Sequence, residues 1–363
     1  MKRMLIIVGL GIAVATGAHA DDSSTTPPVG YTKFTIQAST DNALSVPLIR
    51  DTATYGLVAT FTSNSITIAN GQWTPSQFVY AAGIQPNTYE VEFVTGALAG
   101  IAYQVVSNTQ DTVVLNTQGD NLTAEQLGAI NPGDLIAIRP YWTLGNVLGG
   151  TDTSIVLNSF ATAPSLDQIE SGDCVLFPDN VSIGIEKPYV LALAYVQQAG
   201  WRAAGDANTD QSGTILPRAS VFVVHRQGGA LQTFVLGNAP INPTVTPVKG
   251  GNGTMGNDYY VALAVANPVS LNSAGLTNAT LASSVIQPST SLTSRGDELL
   301  AFSGTRQGFH RDPDLTFYYV NGSWQQLGST STTVGQDFQL QPGVGYIIRK
   351  RPANGNQDWT QTP

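Results

Sequence analysis

Two histidines, one cysteine and a few spaced carboxylates are the residues best suited to chemistry once the first twenty positions are set aside. His310 lies in Gly308-Phe309-His310-Arg311-Asp312-Pro313-Asp314. A histidine with two carboxylates has the donor types of a metal site but lacks the second cluster that fixes one. No Gly-x-Ser-x-Gly elbow accompanies either histidine, so a hydrolase triad has no nucleophile context. Asp206, Asn208, Asp210 and Ser212 carry oxygens at every second position, as a calcium loop does, because alternate residues can turn inward on one ion. The pattern stops there: Gln211 stands where such a loop needs glycine and Pro217 where it needs a bidentate glutamate. A polar hairpin loop of Asx turns is the other reading of the same residues. Calcium is thus the one cofactor the sequence offers.

The five tryptophans and thirteen tyrosines provide flat apolar faces that could stack on sugars. Trp201 and Trp324 recur at matching places and read as packing residues, which leaves Trp73 and Trp142 as the candidates for glycan stacking. Cys174 is the sole cysteine, so no intramolecular disulfide can form, and its setting in the apolar run Gly172-Asp-Cys-Val-Leu-Phe177 predicts a buried small hydrophobe.

The elements that must position these groups are strands. Thr32 to Ile36 alternates with Phe34 and Ile36 on one face, and Thr88 to Gly96 sets Tyr89, Val91 and Phe93 opposite Glu90 and Glu92. Period-two alternation predicts half-buried strands. Asn321-Gly322, between Thr-Phe-Tyr-Tyr-Val and Ser-Trp-Gln-Gln-Leu, predicts a tight hairpin, since both residues tolerate positive φ. Helix signals are confined to the capping boxes Thr123-x-x-Gln126 and Ser165-x-x-Gln168, each predicting about two turns.

Gly-Asp followed by an apolar run occurs at Gly133, Gly172 and Gly296. The last two stand 124 residues apart, as do Phe222 and Tyr346, and Trp201 and Trp324 are 123 apart. Phe222 to Arg226 (Phe-Val-Val-His-Arg) answers Tyr346 to Lys350 (Tyr-Ile-Ile-Arg-Lys), placing His225 in the slot of Arg349. The predicted fold class is mainly β with very little helix: an N-terminal β domain followed by two tandem copies of a related β unit, barrel or sandwich. The boundaries read as a signal peptide at 1–20, the N-terminal domain at 21–140, repeat units at 141–260 and 261–351, and a polar tail at 352–363.

Lys2 and Arg3, the apolar run Leu5 to Ala15 and Ala18-His19-Ala20 have the form of a secretory leader, too short to span a bilayer. Its removal leaves 14 basic against 25 acidic residues, a net charge of −11 with no transmembrane segment. Charged residues make up 11% of the chain against about 25% in ordinary soluble domains. An acidic chain without a basic cluster has no footprint for nucleic acid, and 42% hydrophobic residues argue against disorder.

Several short segments carry a resemblance. They are Pro28-Val-Gly-Tyr31, Val46-Pro-Leu-Ile-Arg50, Tyr89-Glu-Val-Glu-Phe-Val-Thr-Gly96 with Ala99-Gly100, Ile138-Arg-Pro-Tyr-Trp-Thr143, Gly200-Trp-Arg202 with Thr209-Asp-Gln-Ser212, and Tyr346-Ile-Ile-Arg-Lys350. Together the chain resembles an uncharacterised family of signal-peptide-bearing bacterial proteins present in many diverged copies. Ser323-Trp-Gln325 departs from the Gly-Trp-Arg expected in the second copy. The resemblance implies an exported, surface-associated protein and assigns no activity. Low charge, Thr- and Asn-rich strands and a tandem β unit lead to the expectation of a non-enzymatic structural protein, secreted or at the cell surface or in the periplasm, that self-associates through strand addition by a terminal arm (Val29, Tyr31, Phe34 and Ile36). The alternative is an extracellular module that binds a cell-surface glycan through Trp73 and Trp142.

Overall fold

A computed structural model describes residues 28–363, apart from 82, 119, 121, 124–129, 150–156, 279–283, 292, 303–305 and 330–333. The leader at 1–20 and the helix expected after Thr123 fall outside the described residues. The chain is mainly β. The two short helices described are α1 (Leu144–Leu148), capped by the Thr143 hydroxyl, which accepts from the Asn146 amide, and α2 (Val334–Asp337). The Ser165 capping box and its two-turn helix do not form: the Ser165 hydroxyl donates to the Gln168 side chain, and a single 3-10 turn at Ile169–Ser171 follows without a side-chain cap.

Six antiparallel strands close into a barrel in the order β3 (Thr54–Phe61), β4 (Ser65–Ile68), β7 (Thr112–Asn116), β6 (Ala102–Asn108), β5 (Tyr89–Phe93) and β8 (Leu135–Pro140). Val58, Ile66, Val91, Phe93, Val113 and Ile136 fill its interior. The outward residues of β5 are buried too. Glu92 meets Arg139 at 2.7 Å and Arg218 at 3.1 Å, and Glu90 meets Arg218 at 3.3 Å. Alternation had placed both carboxylates on a solvated face; cations from β8 and from a loop 126 residues downstream cover them instead. At Glu90 burial prevails and lifts the carboxyl above its usual range, whereas at Glu92 burial is outweighed by Arg218 and Arg139, which hold it below.

The rest of the molecule is one design built twice. The first sheet runs β2 (Thr40–Leu44), β14 (Phe222–Arg226), β10 (Cys174–Phe177), β11 (Leu191–Val196) and β12 (Gly200–Ala203). The second runs β17 (Asn257–Ala262), β23 (Gly345–Lys350), β19 (Glu298–Ala301), β20 (Leu315–Val320) and β21 (Ser323–Gln326) in the same sense. Each sheet has a companion ribbon, β1 (Val29–Ile36) with β15 (Leu231–Asn238) and β16 (Thr244–Val248) with β24 (Gln357–Gln361). Each also has a two-residue ladder, β9 (Trp142–Thr143) with β13 (Ile215–Leu216) and β18 (Val269–Ser270) with β22 (Gln339–Leu340). Trp201 sits edge-on to Tyr195 at 5.4 Å in one core, as Trp324 does to Tyr319 at 5.6 Å in the other. The predicted hairpin joins β20 to β21, with φ of 51° at Asn321 and 79° at Gly322.

The sequence boundaries shift accordingly. The barrel takes only residues 54–140 of the segment 21–140, because β1 and β2 leave it to pair with β15 and β14. The barrel is therefore inserted into the first unit, between β2 and β9. The second unit starts at Thr244, and the tail at 352–363 contains its closing strand β24.

In each unit one buried aspartate ties the turn before the central strand to the end of its neighbour. Asp173 accepts the amide hydrogens of Asn158 (2.6 Å) and Gln227 (2.8 Å) and pairs with Arg226. Asp297, 124 residues on, accepts those of Gln287 (2.9 Å) and Arg351 (2.7 Å) and pairs with Lys350 at 2.6 Å, both side chains being fully enclosed. Removing one partner of such a pair leaves an uncompensated buried charge. Lys350→Met is expected to lower the unfolding free energy by about 3–5 kcal/mol in urea titrations. Lys350→Arg, which installs the cation of the first unit, is expected to lose less.

Candidate functional site

Acidic and basic side chains from both units line a cleft of about 560 Å³ where the two units meet. It is built by a reciprocal exchange of loops. In the first unit the loop 178–190 follows β10 and crosses to β17: the Asp258 amide donates to the Gly184 carbonyl (2.8 Å), and the Glu186 amide donates to Asp258 Oδ2 (3.0 Å). In the second, residues 306–314, after β19, cross to β2: the Asp41 amide donates to the Gly308 carbonyl (3.3 Å), and the His310 amide donates to Asp41 Oδ2 (2.8 Å). Gly184 and Gly308 stand 124 residues apart, as do Glu186 and His310, and the last two share a left-handed backbone with φ of 53° and 47°. A non-glycine residue holds that conformation only where its surroundings dictate it; here the dictating group is the aspartate that receives the amide.

The side chains differ between the halves. On one side Arg349 grips Asp258 with two bonds of 2.8 Å and reaches Glu186 at 3.5 Å. On the other, His225 faces Asp41 through Nδ1 at 2.7 Å and stacks on Phe309 at 4.0 Å. Its Nε2 lies 3.1 Å from the Glu170 carbonyl. His310 Nε2 lies 2.8 Å from a Glu170 carboxylate oxygen, and that hydrogen bond holds the His310 imidazole above its usual value. Among the described residues lining the cleft the hydroxyl-bearing ones are Tyr189 and Tyr260, whose phenols burial raises above their usual range. Cys174 is buried beside Leu176 and Ala194, and burial raises its thiol far above the ordinary range, the opposite of a reactive thiolate.

The four arm residues are divided by the pleat. Phe34 and Ile36 are buried against Val235 in the first unit's core. Val29 and Tyr31 are 74% and 69% exposed, and across the ribbon Phe234 and Leu236 are 57% and 71% exposed on the same outer face. The strand thus lies along its own chain, all eight residues in register with β15, rather than projecting away. Lys33 is the only charged side chain of either strand. The matching ribbon of the second unit touches the barrel at one point, where the half-buried Val245 donates its amide hydrogen to the Gly100 carbonyl at 3.1 Å, while Pro247, Asp358 and Thr360 stay exposed.

The calcium-like residues form turns. Asp206 Oδ1 accepts the amides of Asn208 and Thr209, and Asp210 Oδ1 accepts from Ser212 and pairs with Arg202 at 3.1 Å. Among the described residues no three His, Cys, Asp or Glu side chains gather as metal ligands. The two unpaired tryptophans part company. The Trp142 indole donates to the Leu48 carbonyl at 2.9 Å beneath Arg50, and the ring packs on the first unit's core. Trp73 is half-buried at the rim of a groove on the barrel. Sequence reasoning missed Asp41, Glu170, Asp258 and Glu186. The 124-residue spacing would have exposed Glu186 through His310, but Asp41 and Asp258 are 217 apart, because the inserted barrel separates β2 from the rest of its unit.

The chain matches no family model, no curated protein and no solved structure.

Among the described residues no helix is long and apolar enough to cross a membrane.

The His310–Glu170 contact makes the hold of the second crossing loop depend on pH with a definite sign. A folded value raised above the unfolded one contributes stability that is fully present below about pH 6.5 and lost as pH rises through the raised folded value. The melting temperature of the native protein relative to His310→Gln is expected to be higher at pH 5.5 than at pH 8, by a small margin because the imidazole is more than half exposed.

Proposed function

We propose that this chain is an exported, non-enzymatic structural protein of the bacterial cell surface that associates with copies of itself through the β1–β15 ribbon. The observation that carries the reading is that ribbon's outer face, where Val29, Tyr31, Phe234 and Leu236 stand exposed together. Contiguous apolar surface on a two-stranded ribbon with open edges is a template for further pairing. A second copy is the favoured occupant on two grounds. The outer face of the second ribbon carries the exposed carboxylate of Asp358 and touches the barrel at Val245, whereas the outer face of the first is apolar at four positions. In a mature chain of net charge −11, the first ribbon carries no carboxylate, so copies repel least there. The leader-like Met1 to Ala20 and the resemblance to an exported family support the location. A catalytic reading gains nothing from the inter-unit cleft, whose histidine and aspartates are engaged in holding the two loops.

The expectation of a projecting arm becomes, in this reading, an edge that receives a neighbour. Chain 21–363 is expected to form oligomers or fibres by light scattering and negative-stain electron microscopy. Tyr31→Glu with Leu236→Glu is expected to raise the dissociation constant at least about tenfold, about 1.4 kcal/mol, with unchanged circular dichroism and a slightly lower melting temperature, since the two glutamates would face each other across the ribbon. A native chain that stays monomeric at high concentration would overturn the proposal.

A further inference from the structure

The barrel carries a groove of about 460 Å³ between β3 and the segment that follows β4. Its lining includes Thr54, Tyr55 and Leu57 on one side and Asn70, Gln72 and Trp73 on the other. No lining residue is ionisable at neutral pH, although the whole protein is acidic. Tyr55 and Leu57 are each about half exposed on the outside of β3, where a lone pair of large apolar side chains flanks Gly56.

The groove is held in shape by the barrel. A Cβ at Gly56 would stand 2.9 Å from the Ile68 side chain, so the glycine lets β4 pack close and leaves a depression over itself. A Cβ at Gly71 would meet the Asp111 backbone at 2.6 Å, so the turn Asn70-Gly71 presses directly on the β6–β7 hairpin. The amides of Ala69 and Trp73 donate to the carbonyls of Leu57 (2.9 Å) and Gln110 (2.8 Å), pinning both ends of the turn. The Trp73 ring stands edge-on to Phe78 at 5.1 Å and 84°, and Phe78 in turn meets Tyr89. The indole is therefore oriented before any ligand arrives, which lowers the ordering cost of binding. The side-chain amides of Asn70 and Gln72 are exposed beside the ring, and each carries two donors and an acceptor.

We infer that this groove binds a neutral saccharide, with a pyranose ring laid against Trp73 and Tyr55 and its hydroxyls met by Asn70, Gln72 and Thr54. The aromatic rings match the C–H face of a sugar, the side-chain amides match its hydroxyls, and the absence of charge in the lining disfavours an ionic ligand. A β-augmenting peptide finds no place here, because β3 and β4 are each paired on both sides within the closed barrel. The site is remote in sequence from the β1–β15 ribbon and does not depend on self-association.

Isothermal titration of chain 21–363 with cellohexaose, laminarihexaose, mannohexaose and chitohexaose tests it. Binding is expected for at least one of the four, with a quench of tryptophan fluorescence. Trp73→Ala is expected to weaken that binding at least about tenfold. Tyr55→Ala and Gln72→Ala, both at exposed positions, are expected to weaken it severalfold with unchanged circular dichroism, so a folding defect in the tryptophan variant would not obscure the outcome. Failure of all four sugars to bind, binding that survives Trp73→Ala and Tyr55→Ala, or variant-sensitive binding of a decaproline peptide but of no sugar would each overturn the inference. None of these substitutions is expected to change the oligomeric state, so this result and that for Tyr31→Glu with Leu236→Glu can fail separately.

Discussion

In both units an aspartate is taken out of water at the turn that opens the central strand, and a cation at the end of the neighbouring strand must come with it. Asp173 with Arg226 and Asp297 with Lys350 are such pairs. Either carboxylate alone would be prohibitively costly to bury. Once the pair is formed, the remaining lone pairs take two backbone amides each, and these fix where the incoming loop ends and the outgoing ribbon begins. In both units that anchored point joins the turn before the central strand to the end of its neighbour. The value of the pair is geometric, since an apolar pair of equal volume could match it in free energy but could not order the two amides.

Much of the fold was legible because it is local. Asn321-Gly322 announces its hairpin through backbone conformation alone, and the recurrence of Gly-Asp, Trp and the Phe222 and Tyr346 strands reports the duplication through spacing. The insertion was not legible. Thr40 to Leu44 (Thr-Asp-Asn-Ala-Leu) has little hydrophobic pattern, and nothing in its neighbourhood says that its partner is β14 rather than a barrel strand. Strand pairing across long separations is decided by which edge is free, which periodicity does not encode. For the same reason Glu90 and Glu92 read as solvent-facing: their alternation is real, but the guanidinium groups that cover them arrive from β8 and from Arg218.

The candidate sites follow the same division. His225 was placed correctly beside Arg349 as an equivalent strand-end residue, and each now proves to face an aspartate at the same register of the first strand of its sheet. The arm residues were found by alternation, yet only half of them face outward, because the face that packs on the core consumes Phe34 and Ile36. Trp73 and Trp142 are alike in sequence terms and differ only in what the tertiary fold offers the indole nitrogen: the Leu48 carbonyl claims Trp142.

The placement of β1 and β2 also dictates an order of events in time. Both strands are made early, yet their partners lie about two hundred residues downstream, so the first unit cannot close until the chain has been synthesised to Asn238. Closing so long a loop is entropically costly and slow. The barrel, whose strands are all contained in residues 54–140, has no such delay. The inserted barrel can therefore be complete while both flanks of the unit that holds it are still unpaired.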